Sequence, residues 1–135
     1  MKVQNKKQPN EEQIKGFIDG PEVGPISMVN LLKFKDKAEY SDNRETSLTG
    51  REAYLIYAKE VVAHVERFGG TVVFSKNINR LMLGEVEELW DMVAIAKYPN
   101  RKALLEMSLD SEYLKSHIHR EAGLDGQLNI ETIDI

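Results

Sequence analysis

His64 stands seven residues after Tyr57, ten after Tyr54 and three before Arg67. In a helix those spacings put the imidazole on or beside the face that carries the two phenols. A histidine titrating near neutrality suits proton transfer, with Tyr57 as its partner in catalysis. The plainer reading makes it a packing side chain. Asn30 lies in the middle of "ISMVNLLKF" (26 to 34), on the face of Met28 and Leu32 if that segment is a strand. A buried amide left unbonded costs about 1–3 kcal/mol. Asn30 is therefore either tied to nearby backbone or turned into a cleft, where it would orient a ligand carbonyl or carboxylate.

A second group sits near the C-terminus. Arg120 follows His117 by three residues, which places both on one helix face with Tyr113 above them. Its guanidinium could clamp a carboxylate bidentately; a salt bridge to Glu121, Asp125 or a neighbouring strand is the alternative. "HIH" (117 to 119) invites a metal reading. Helical residues two apart point about 200° away from each other, however, so His117 and His119 do not share an ion easily. His119 joins Arg120, Tyr54 and Asn30 as a candidate ligand contact. Trp90 and Asp91 complete the set, either lining a cavity or forming a plug with a turn-capping carboxylate.

Other chemistry is absent. With no cysteine, disulfides, thiolate metal sites and a cysteine nucleophile are excluded. No Ser–His–Asp spacing, phosphate loop, Rossmann glycine pattern or metal-binding carboxylate cluster is present, so no metal and no cofactor is expected. Haem ligation through His64, His117 or His119 is a third possibility. Net charge is −4 and no basic cluster is large enough to displace the counterions of a nucleic acid. No apolar run approaches the 18 or so residues of a membrane helix, and the polar start lacks a signal peptide's core. The expectation is a cytoplasmic protein without nucleic-acid or membrane partners.

The elements that must position these groups are read from pattern. Residues 1–9 form a flexible arm, and 10–135 make a single domain, a size that suits one core. "PNEEQIKGFID" is a short helix with Asn10 as N-cap. The strand 26–34 follows, then a polar loop over 35–50, long enough to act as a lid. "TGRE" is a capping box opening a helix over about 50–68, with Tyr54, Tyr57, Val61 and Phe68 as its buried stripe and Gly69-Gly70 as its end. "TVVFS" is a strand, "NRLMLGEVEE" a turn plus a short hairpin extension, and 90–99 a third strand. Two helices follow, "NRKALLEM" and "SEYLKSHIHREAG", the latter with Leu114, Ile118 and Ala122 in register. "QLNIETIDI" is the last strand.

This order predicts an α+β, ferredoxin-like antiparallel sheet with helices on one face. Such strands should alternate apolar and polar, yet Val29 and Leu31 oppose Met28 and Leu32, and Val93 and Ile95 oppose Met92 and Ala94. Leaving several hundred Å² of apolar sheet in water would forfeit on the order of 10 kcal/mol. A second copy, packed sheet to sheet as a homodimer, is the expected cover.

"GPISMVNLLKF", "GREAYLIYA", "FGG", "WDMVAIAKYP" and "YLKSHIHREAGLDGQL", in that order, resemble the family called domain of unknown function 1330, in the dimeric α+β barrel superfamily. The resemblance runs from about residue 10 to the end and implies a two-chain barrel. Superfamily relatives include cofactor-free monooxygenases, haem-degrading enzymes, isomerases and decarboxylases, so the resemblance implies a small-molecule pocket without choosing the reaction. Two functions stay open. One is a small-molecule-binding dimer, extending to cofactor-independent action on a small organic acid or carbonyl compound. The other is a non-catalytic dimeric structural or ligand-binding module.

Overall fold

A computed structural model describes residues 1–135. Its elements run α1 (Glu11–Asp19), β1 (Ile26–Phe34), α2 (Gly50–Arg67), β2 (Thr71–Asn77), β3 (Met92–Tyr98), α3 (Arg101–Leu109), α4 (Ser111–Gly123) and β4 (Leu124–Ile133). The four strands form one sheet in the order β2-β3-β1-β4, and every pairing is antiparallel. This is the ferredoxin-like α+β fold expected, with an extra helix in front.

Local chemistry explains the helix starts. Asn10 accepts the Gln13 N–H while the Gln13 side chain reaches back to the Asn10 N–H. Thr49 and Glu52 do the same for α2, satisfying donors that a helix N-terminus leaves orphaned. At the other end of α2, Gly69 adopts φ +85°, a left-handed turn that glycine makes without steric cost.

The core lies between the sheet and α2, α3 and α4. Ile26, Met28, Leu32 and Phe34 from β1, Met92 and Tyr98 from β3, and Leu124 from β4 meet Tyr54, Tyr57 and Val65 of α2 and Met107 and Tyr113 of α3 and α4. Of the two expected stripes, one shifts. In α2, Tyr54 and Tyr57 are buried as expected, Val61 and Phe68 pack part-buried against the core, and Val65 is buried with them. In α4, Tyr113 and Ser116 face inward while Leu114 and Ile118 stay largely exposed. The reason is a close crossing: Gly50 and Gly123 face each other so tightly that a Cβ on either would lie within 3 Å of the other's carbonyl oxygen. That contact fixes the rotation of α4, which ends at Gly123.

Three further expectations change. Residues 78–91 contain no strand, so the hairpin extension is absent. β4 begins at Leu124, directly after α4, three residues earlier than Gln127. The 35–50 loop does not hang free: Ala38 and Tyr40 are buried with Ala53 and Ala122 in a second small core, and the Glu39 N–H donates to the Ala122 carbonyl. Within residues 1–9, Lys6 pairs with the outer edge of β4, exchanging two backbone hydrogen bonds of 3.1 and 2.8 Å with Gln127.

The other face of the sheet is apolar at its centre. The register aligns Leu31 with Val93 and Leu128, and Val29 with Ile95 and Ile130, while Phe74 sits beside Ile95. Phe74 and Ile130 are exposed, and no helix of the chain covers this side.

Candidate functional site

On the helix-facing side, one polar line crosses the core. The Asn30 amide nitrogen donates to the carbonyls of Met28 (3.3 Å) and Ala94 (3.2 Å). Its oxygen accepts from the Gln127 amide at 3.0 Å and from the Asn129 amide. The Gln127 oxygen in turn accepts from Arg120 Nη2 at 3.1 Å, and that same nitrogen donates to the Lys7 carbonyl at 3.0 Å. Arg120 Nη1 donates to the Glu121 carboxylate at 2.7 Å. Lys7 Nζ reaches the Glu121 backbone carbonyl at 2.9 Å and its carboxylate at 3.4 Å. Asn30 and Arg120, remote in sequence, thus belong to one network, and the N-terminal arm closes it.

Aromatic rings wall this line. Tyr54 and Tyr57 lie 5.4 Å apart, Tyr57 and Tyr113 meet edge to face at 6.1 Å, and His117 packs 5.7 Å from Tyr113. The Tyr57 and Tyr113 hydroxyls share a hydrogen bond of 3.0 Å. Burial raises the pKa of Tyr54, Tyr57, Tyr98 and Tyr113, so all four remain neutral phenols. Burial, and then the Arg120 charge, lowers that of His117. The nearby Arg120, Glu121 and Lys7 therefore face a neutral imidazole.

His64 lies next to this wall, with its ring 5.9 Å from Tyr113. Arg67, which can only donate, gives a hydrogen bond of 2.8 Å to His64 Nδ1. That fixes the proton on Nε2, from which it is donated to Ser116 Oγ at 2.9 Å. Arg67 also pairs with Asp110 at 2.7 Å. In this arrangement His64 joins α2 to α4 and is not a base for Ser116.

The remaining candidates lie elsewhere. His119 points away from His117, and its Nδ1 meets the Tyr40 hydroxyl at 2.7 Å under the 35–50 loop. Beside Tyr40 is an open depression of about 720 Å³ lined by loop residues that include Lys37, Asn43 and Arg44. Asp91 accepts the Phe34 N–H at 2.8 Å, and Trp90 donates to Asn5 at 2.7 Å. Sequence reasoning missed Gln127 and Asn129. Their positions on β4 opposite Leu32 and Asn30 follow from register alone, and their amide types were the available signal. Lys7 carried none.

No family model matches the chain, and no curated protein does. Among solved structures, the methylated RPA0582 protein is similar at 34% identity, covering 98% of this chain and 97% of that one, with a TM-score of 0.86. A second structure of RPA0582, described as a protein of unknown function from Rhodopseudomonas palustris, gives 33% identity over 95% of each chain and a TM-score of 0.83. SnoaB, a cofactor-independent oxygenase from Streptomyces nogalater, matches at 14% identity over 83% of this chain and 94% of its own, with a TM-score of 0.52. A dabb family protein with a ferredoxin-like fold from Mesorhizobium loti matches at 10% identity over 83% and 98%, with a TM-score of 0.53. The last two show the shared fold.

Proposed function

The chain belongs to the family of the RPA0582 protein of Rhodopseudomonas palustris, and from that premise we propose a homodimeric small-molecule-binding protein whose ligand is a small organic acid or carbonyl compound. The finer placement, in the family called domain of unknown function 1330, is part of this proposal. The observation that carries it is the line from Asn30 through Gln127 to Arg120 inside the helix-facing side of the sheet. Withdrawing an arginine and the Asn30 and Gln127 amides partly from water costs stability unless each is paired, and hydrophobic residues would hold a core together at lower cost. A ligand carboxylate would replace the Lys7 and Gln127 oxygens at Arg120 Nη2, with the Asn30 and Gln127 amides turning toward it. Tyr54 and Tyr57 would wall the ligand's apolar part.

Dimerisation through the open sheet face is the second part. A neighbour of the same fold is a dimeric protein of unknown function from Bacteroides fragilis, at 10% identity, and the uncovered apolar surface on this chain asks for such a cover.

A structural reading is favoured by a different observation: Asn30, Arg120 and His64 are already bonded within the chain. It also leaves the catalytic roles of His64 and Tyr57 without a free atom. Isothermal titration with benzoate and with pyruvate, repeated on Arg120→Ala, separates the two. Binding that is lost in the variant, with the melting temperature within about 3 °C of the parent, supports the ligand site. A collapse of melting temperature with no binding in either protein supports the structural reading.

A further inference from the structure

Resting on that ligand-site reading, we infer that residues 5–8 are a releasable latch: the Lys7 carbonyl occupies the place at Arg120 that a ligand carboxylate takes, and the ligand displaces it. Six hydrogen bonds hold these residues. Lys6 and Gln127 exchange two of them through their backbones. Asn5 Oδ1 accepts from Trp90 at 2.7 Å, and the Lys7 carbonyl accepts from Arg120 Nη2 at 3.0 Å. Lys7 Nζ donates to the Glu121 carbonyl at 2.9 Å, and the Gln8 amide to the Glu121 carboxylate at 2.9 Å. No apolar side chain secures the segment. Met1 and Val3 are exposed, and within the latch only Lys7 is half-buried.

The latch is close to energetic balance. A hydrogen bond exchanged against water returns about as much as ordering one residue's backbone costs. Asn5, Lys7 and Gln8 also give up side-chain freedom to make their contacts. With little apolar area buried, the segment can open while the sheet stays folded. Strand β1, by contrast, is paired along both edges. One of the Arg120 acceptors gives way at least cost. The Gln127 oxygen moves only with the amide bond to Asn30, and Glu121 holds Nη1 with a full charge at 2.7 Å. The Lys7 carbonyl is neutral and on release meets water, so its departure strands no buried group. Gly126 makes room for the closed latch. A Cβ there would lie 2.8 Å from Asn5 Cβ, and its three nearest atoms all belong to Asn5 and Lys6. A methyl group at this position therefore pushes on the latch before anything else.

The test is amide hydrogen exchange of the full chain, read residue by residue, with and without benzoate. Without it, the Lys6 and Gln127 amides should show equal protection, on the order of 100-fold below that of β1. Benzoate should speed exchange at Lys6 and Gln127 about tenfold, with no acceleration in β1, and should shift the emission of Trp90, the only tryptophan. Gly126→Ala, with its latch pushed off, should bind benzoate about tenfold more tightly in isothermal titration, because the competent state no longer has to be populated first. Should that variant fail to fold, Asn5→Ala removes the Trp90 bond without adding bulk and should gain about fivefold. Benzoate that binds while exchange at Lys6 and Gln127 stays the same or slows would overturn the latch and leave the organic-acid site standing. So would protection of those two amides equal to that of β1, or a variant that binds no more tightly than the parent. If neither the parent nor the variants bind benzoate, both readings fall.

Discussion

The two sides of β1 carry similar hydrophobicity to opposite ends. Toward the helices, Ile26 and Leu32 are fully buried within one chain, and they hold the fold. Away from the helices, Val29 and Leu31 join Val93, Ile95, Leu128 and Ile130 in a patch that the chain itself does not cover. The helix-facing side also admits polar groups, Asn30 and its partners, whereas the open side has none at its centre. Burial within the chain and the proposed burial between chains would therefore use alternate residues of the same strand, and substitutions one position apart should fail in different ways.

The largest expected effect is on the open side. Ile95→Asp would place an unpaired carboxylate at the centre of the proposed dimer, once in each copy. Burying such a charge costs several kcal/mol, so association should weaken by on the order of 1,000-fold. Sedimentation equilibrium should then give the 15.4 kDa chain mass where the parent gives twice that, with the circular dichroism spectrum retained. Leu32→Ala, on the other side, should cost about 2–5 kcal/mol of unfolding free energy without changing the assembly state in the cold. If Ile95→Asp leaves the mass unchanged, the open face is covered by something other than a second copy.

A smaller effect tests how the covered side is aligned. Gly123→Ala would drive a methyl group against the Gly50 carbonyl, which lies 2.2 Å from the ideal Cβ position. Separating α2 from α4 should cost about 1–3 kcal/mol and loosen the Tyr57–Tyr113 contact between the same helices. Equal melting temperatures in thermal denaturation would show that the crossing is slack.

Gly123 also marks where the sequence stopped being legible. Strand order, helix positions and the greasy second face of β1 and β3 were readable because periodicity and caps are local signals. The rotation of α4 was not, since its hydrophobic spacing favoured Leu114 and Ile118 while the glycine contact turned Tyr113 and Ser116 inward. Asn30, Tyr54 and Arg120 were recognisable by type and face, and Asn30 and Arg120 meet in one hydrogen-bond network. Their connection through Gln127 depends on β4 register, and Lys7 depends on an arm with no periodicity. Both are long-range pairings that no single segment encodes.

The smallest effect is a pH dependence confined to the polar side. Burial lowers the His117 pKa below its ordinary 6.5, with Arg120 and Lys7 adding to the shift and Glu121 opposing it. A depressed folded-state pKa means that the unfolded chain binds the proton more readily than the folded one. The contribution of His117 is therefore fully present above pH 6.5 and declines as pH falls below it, until the folded-state pKa is passed. Titrating carboxylates add their own slopes at lower pH, so the informative quantity is a difference. Urea denaturation of the parent and of His117→Gln, compared at pH 7.5 and 5.5, should show the parent losing more stability than the variant over that interval. Identical losses would mean that the imidazole is solvated and that the wall beside Arg120 is open to water. A larger loss in the variant would reverse the sign and place a protonated His117 beside Glu121.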